Sequence, residues 1–225
     1  CTPCDFITEL SRYILSNNPK ISKAFYEEWQ QAFDCEQQRL QSIDDTNLTA
    51  SSTVKYFEEQ LEDMEYDYHV HYGNSTAVRL ACQYANGHKI WCNRGVNGID
   101  GSLSTAAGFS AICSTGEMVF CVLGDLSFFY DQNALWNSNI KDNLRIIILN
   151  DKHGGIFDKV KGLEPCSERD RFVAGRHSAD ARGICTQNDI GYLSTKTVEE
   201  MHLGIVTLLT AESESPLLLE VILKD

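Results

Sequence analysis

Asp125 and Asp151 stand where residue type and position point most directly to chemistry. Asp125 lies in Gly124-Asp-Leu-Ser127, between an aliphatic run and a helix-like stretch; Asp151 follows Asn150 after a second aliphatic run, about twenty-six residues later. A buried strand that ends by opening a helix turns backbone N–H groups outward and makes an anion site. A lone carboxylate there repels the anion unless a divalent cation lies between them and takes both as ligands, which suits Mg2+ and a diphosphate. The Gly154-Gly155 pair permits the tight turn that lets the backbone carbonyl of His153 join that shell. Taken singly, Asp125 could cap a helix and Asn150-Asp151 could turn the chain; the functional reading rests on the two together.

Other residues have narrower readings. Arg79 lies four residues after Ser75, so a helix puts both on one face, where a guanidinium fork suits a carboxylate; a surface ion pair is the rival. Ile99 is an isolated aliphatic residue between Gly98 and Gly101 in a polar loop, by itself a core plug. His69 and His71 share one side of a strand and read as satisfied core or edge histidines rather than ligands.

The elements that position these residues follow from hydrophobic spacing. Residues 1–65 carry helix-type periodicity, with Phe6, Leu10, Tyr13 and Ile14, then Phe25, Trp29 and Phe33, then Val54, Phe57 and Leu61 after the capping candidates Ser51 and Ser52. They predict a helical arm. Residues 66–225 alternate strands at 68–72, 88–92, 118–123, 144–149, 190–193 and 217–222 with helices at 75–85, 101–113, 129–138, 178–187 and 197–211. Continuously apolar central strands with helices between them predict an α/β fold, three αβα layers around a mostly parallel sheet of about six strands. Ligands of such sheets bind outside the carboxyl ends of the strands, where the residues above collect. Segment 154–173 opens with two glycines and contains Lys159, Lys161, Arg169 and Arg171; it reads as a mobile, positively charged lid, with a plain surface loop as the rival.

Composition removes several classes. A formal net charge of −13 over 225 residues argues against nucleic-acid binding, and no aliphatic run approaches the length of a membrane helix. Nine cysteines, several inside apolar runs, point to a reducing cytoplasm; the Cys1-Thr-Pro-Cys4 pair has no second pair at zinc spacing. The chain begins with Cys1 and no targeting stretch follows, so it is expected to be part of a longer polypeptide.

The Gly-Asp and Asn-Asp segments, with nothing but helix and strand between them, resemble the motif of the thiamine-diphosphate enzymes. The likeness extends through Asn93-Arg-Gly-Val-Asn-Gly-Ile-Asp-Gly101, Gly124-Asp-Leu-Ser127, Gly154-Gly-Ile-Phe157 and Ser167-Glu-Arg-Asp-Arg-Phe172, covering about residues 50–222. Within that family it is narrowest toward the menaquinone-pathway branch, which decarboxylates 2-oxoglutarate and adds the resulting succinic-semialdehyde unit to isochorismate. The resemblance implies thiamine diphosphate and Mg2+ as cofactors, with Asp125, Asp151 and the His153 carbonyl on the metal. It implies that Gly124, Leu126, Ser127 and Asn74 hold the cofactor and that Ile99 is the wedge bending it. It further implies substrate contacts from Ser75, Arg79, Arg94, Ile156 and Phe157, with Ile99 and Arg94 nearest the chemistry. Two partners are implied, a pyrimidine-binding domain carrying the activating glutamate and a second copy in a dimer or tetramer; the residues in hand alone would be inactive. The resemblance also implies that the helical arm is the tail of a preceding domain and its linker. Asp151 departs from the family's usual Asn and adds a charge beside a diphosphate, and His153 replaces a more common glycine. Another thiamine-dependent carboligase or decarboxylase, and a non-catalytic nucleotide- or flavin-binding module, are the alternatives.

Overall fold

The structure, a computed structural model, describes residues 2–17, 19, 22–43 and 46–223. Cys1 of the Cys1–Cys4 pair lies outside the described residues. Contacts divide the chain into two compact units, Cys1–Ile43 and Asp44–Asp225. The first contains helices α1 (Pro3–Asn17) and α2 (Ala24–Gln41), whose Phe6, Leu10 and Tyr13, and Phe25, Trp29 and Phe33, are exposed.

The second unit runs α3 (Ala50–Leu61), β1 (Tyr68–Tyr72), α4 (Thr76–Tyr84), β2 (Ile90–Trp91), α5 (Ser102–Ile112), β3 (Met118–Gly124), α6 (Asp125–Asp131), β4 (Leu144–Asn150), α7 (Ser167–Phe172), α8 (Arg182–Gln187), β5 (Gly191–Thr195), α9 (Val198–Thr210) and β6 (Leu217–Ile222). All six expected strands form, the second shortened to Ile90–Trp91. They make one sheet in the order β2-β1-β3-β4-β6-β5 with every pair parallel.

Side-chain alternation covers both faces of this sheet. Val70, Tyr72, Phe120, Val122, Ile147, Leu149, Leu219 and Val221 pack toward α3, α4 and α9, whereas Val119, Cys121, Leu123, Leu144, Ile146, Ile148 and Leu218 pack toward α5, α6 and α8. The result is the three-layer α/β architecture that the apolar strands predicted.

Three local features depart from the sequence reading. Although its sequence places it in the arm, α3 lies in the second unit, with Val54, Phe57 and Leu61 buried in the core. Its cap is Thr49, whose hydroxyl accepts from the Ser52 amide at 3.0 Å, so Ser52 closes a capping box from inside the first turn. The helix expected at 129–138 begins instead at Asp125 and passes into a 3-10 turn over Gln132–Leu135.

The chain leaves β1 toward β2 on one side and β3 toward β4 on the other, which opens a crevice at the carboxyl ends of β1 and β3. Gly124 is paired with Leu149, so Asp125 emerges beside Asn150-Asp151. Gly73 closes the β1 end against β3: its amide donates to the Val122 carbonyl at 2.8 Å, and a Cβ on it would stand 2.8 Å from Leu123 Cβ.

The membership of α3 in the core is testable by denaturation. Phe57→Ala removes a buried ring and should lower stability by about 3–5 kcal/mol, whereas Phe25→Ala on α2 should stay within about 0.5 kcal/mol. Equal urea midpoints for the two variants would remove α3 from the core.

Candidate active site

Asp125 is buried at the first position of α6, and its carboxylate is held from three directions. The Leu126 amide donates to Oδ1 at 2.6 Å, the Lys152 amide to Oδ2 at 2.7 Å, and His177 Nε2 lies 3.1 Å from Oδ2. At the end of β4, Asn150 is fully buried. Its Oδ1 accepts from the same Lys152 amide at 3.0 Å, and its Nδ2 donates to Glu220 Oε1 at 2.7 Å. Buried Glu220 also accepts from the Ala181 amide at 3.0 Å and the Tyr192 hydroxyl at 2.5 Å, anchoring the β4 end to β6 and α8. Lys152 turns the chain at φ 63° and Ser75 at φ 72°, so two non-glycine residues in the left-handed half of backbone space stand at the ends of β4 and β1.

Asp151 is half-buried beside this turn, with Oδ1 accepting from the His153 amide at 3.3 Å. A Cβ on Gly155 would lie 2.6 Å from Asp151 Oδ2, so glycine at 155 leaves the space that the carboxylate occupies. The His153 ring is committed elsewhere: Nδ1 contacts the Asp151 carbonyl at 2.7 Å and Nε2 contacts Asp158 at 2.6 Å. Burial pushes the Asp125 carboxyl up to about 6, and the charge of Asp151 adds to the rise. Asp151 is raised too, chiefly by its own burial. Two carboxylates drawn out of water side by side, one raising the other's proton affinity, are a donor set of the kind that suits a divalent cation.

At the end of β1 the amide of buried Asn74 donates to the carbonyls of Asn93 at 2.6 Å, Gly98 at 2.8 Å and Val96 at 3.4 Å. Asn74 thus supports the 93–98 loop with the group expected to touch the cofactor. Asn93 continues the support through Nδ2, donating to the Gly101 carbonyl at 3.1 Å and the Thr105 hydroxyl at 2.8 Å, while its Oδ1 lies 3.2 Å from His71 Nε2. This fixes the loop that carries Arg94, which is exposed, and Ile99, which is half-buried. Ser75 precedes α4 and Arg79 lies exposed one turn on, its amide donating to the Ser75 carbonyl at 3.3 Å. Ser127 is buried in the first turn of α6; Ile156 and Phe157 are half-buried in a 3-10 turn over Gly155–Lys159.

Two expectations change, and a third holds. The seven-residue α6 is short, and the Leu126 amide, expected to meet the diphosphate, donates to Asp125 Oδ1. The 154–173 segment is folded as a 3-10 turn and α7, and Arg169 is turned inward to Asp158 and Asp170 instead of adding outward positive charge. His69 has a partner, as the strand reading expected: it lies 3.6 Å from Glu117, and with Cys113 the two form a group of potential ligand atoms within 4.8 Å of one another. His177, Asn93 and Glu220 are the site residues that sequence reasoning missed. A single histidine or asparagine in a polar loop gives no pattern, and Glu220 interrupts an aliphatic strand as its one available cue.

The raised carboxyl of Asp125 fixes the sign of a pH effect. Between its ordinary value and about 6 the folded state holds a proton that the unfolded chain lacks, so this contribution to stability is present in acid and is lost as pH rises through about 6. In chelator, wild type should therefore gain melting temperature relative to Asp125→Asn on going from about pH 7.5 to about pH 5. Parallel melting profiles for the two proteins would refute the buried-carboxylate account.

No family model matches the chain. Curated relatives do. A 2-succinyl-5-enolpyruvyl-6-hydroxy-3-cyclohexene-1-carboxylate synthase of Christiangramia forsetii is 39% identical over 172 residues, covering 76% of this chain and 29% of that protein. Proteins of the same name from Phocaeicola vulgatus and Desulfotalea psychrophila are 40% identical over 155 residues (68% of this chain, 28% of the relative) and 48% identical over 109 residues (48% and 20%). The chain thus spans under a third of the length of these relatives. Identity at this level, sustained through a parallel sheet whose neighbouring strand ends carry the Gly-Asp and Asn-Asp segments, shows that the chain belongs to the 2-succinyl-5-enolpyruvyl-6-hydroxy-3-cyclohexene-1-carboxylate synthase family.

Proposed function

We propose that this chain supplies the diphosphate- and Mg2+-binding domain of a thiamine-diphosphate-dependent synthase of menaquinone biosynthesis, which decarboxylates 2-oxoglutarate and adds the four-carbon unit to isochorismate. The observation that carries the reading is the pair of carboxylates at the adjoining ends of β3 and β4, Asp125 buried and Asp151 half-buried, with glycine at 155 leaving room for the second. Asp125, Asp151 and the His153 carbonyl would hold Mg2+, and Ser127 would meet the diphosphate. When bound, thiamine diphosphate would supply the electron sink that decarboxylation and carbon–carbon bond formation need.

This chain's residues would bind and orient the substrates around it. The loop pinned by Asn74 and Asn93 presents Ile99 as an apolar support and Arg94 as a cation for a carboxylate. Ser75 and Arg79, one helical turn apart, suit a second carboxylate, and both proposed substrates are polyanions. Ile156 and Phe157 would provide apolar walls that exclude water. Among the described residues no helix is long and apolar enough to cross a membrane, and eight free cysteines suit a reducing cytoplasm. The activating glutamate would come from the pyrimidine-binding domain, with the site completed in a dimer or tetramer.

A thermal-shift series tests the cofactor assignment. Wild type should be stabilised by thiamine diphosphate with Mg2+, and chelator should erase the shift. Asp125→Ala should lose it, and Asp151→Asn should retain or enlarge it, because removing one negative charge eases the approach of the diphosphate. Gly155→Ala should weaken Mg2+ by displacing the Asp151 carboxylate. Stabilisation by nucleotide or flavin instead would support the non-catalytic module. Turnover of pyruvate but not 2-oxoglutarate plus isochorismate, by the longer protein containing this domain, would support a different carboligase.

A further inference from the structure

We propose that His177 is a positioning residue that aims Asp125 at the divalent cation; this rests on the metal reading of Asp125 and Asp151 and names a residue that reading does not contain. The Ala179 amide donates to His177 Nδ1 at 3.1 Å, so Nδ1 is the acceptor nitrogen and Nε2 carries the proton. Nε2 then donates to Asp125 Oδ2 at 3.1 Å. The ring is steadied by Phe129, edge-on at a centroid distance of 5.2 Å.

The backbone under the ring is fixed as firmly as the ring itself. The His177 amide donates to the Lys152 carbonyl at 2.9 Å, the Gly154 amide to the Ala174 carbonyl at 2.6 Å, and Asn150 Nδ2 reaches the Ala179 carbonyl at 3.4 Å. Residues 150–154 and 174–179 therefore run side by side in opposite directions. One segment supplies a proposed metal ligand, and the other supplies the histidine that orients the ligand on the neighbouring strand.

Counting lone pairs shows what this achieves. A carboxylate offers about four acceptor directions. Donors from Leu126, Lys152 and His177 fill three of those on Asp125. One direction remains for an ion, and the carboxylate cannot rotate to meet it without breaking a bond. Preset geometry of this kind is how outer partners tune metal affinity, with losses of roughly 10–100-fold when they are removed.

The test is a calorimetric titration of Mg2+ into the chain at saturating thiamine diphosphate, with wild type, His177→Ala and His177→Gln compared well below their melting temperatures. His177→Ala should weaken Mg2+ at least about ten-fold, and His177→Gln, whose amide N–H can take the place of Nε2–H, should recover most of the loss. A purely structural role would lower the melting temperature in chelator without moving Mg2+ affinity. Wild-type affinity in His177→Ala, or equal losses in both variants, would overturn the proposal while leaving the metal site standing. Failure of wild type itself to bind Mg2+ would overturn the metal reading and this inference with it.

Discussion

Electrostatic repulsion between two carboxylates held partly out of water is the constraint around which this domain is arranged. Asp125 and Asp151 stand at adjoining strand ends, and the charge of one raises the proton affinity of the other. Their protein partners are backbone amides and a histidine rather than a lysine or arginine. Such an arrangement is a standing cost to the fold with no ion bound, and under the proposed metal assignment a divalent cation would offset it. The buried Glu220–Asn150 pair and the strained turn at Lys152 make sense as the scaffold that keeps the second carboxylate in place against its preference to swing away.

A similar economy governs the other side of the crevice. One side chain, Asn74, spans to three carbonyls of the following loop, and Asn93 ties that loop forward to α5 and back to His71. The loop thereby acquires a fixed shape without secondary structure of its own. Its arginine and isoleucine are presented by a loop whose own carbonyls are held by Asn74 and Asn93, the kind of side-chain support common to preorganised sites.

The fold was legible because β3 and β4 are apolar on both faces and separated by a helix, a pattern that a buried parallel strand alone explains. The Asp125 and Asp151 positions were legible for a related reason: a polar pair directly after such a strand has to lie at its carboxyl end. What stayed hidden depends on distant or irregular chain. His177 meets Asp125 across 52 positions from a segment without periodicity, and the commitment of Asn74 to carbonyls shows only once its loop is folded. The fate of α3 was hidden as well, since helical spacing marks an apolar face but not the surface that it covers.

The side-by-side run of residues 150–154 with 174–179 has an architectural consequence. It closes the intervening stretch into an excursion whose two stems are tied to each other rather than to whatever the excursion contains. Insertions or deletions between the stems should leave Asp125 and Asp151 undisturbed, since loop closure grows only slowly dearer with length. The stretch between the stems can therefore change in length and shape without moving the strand ends that carry Asp125 and Asp151.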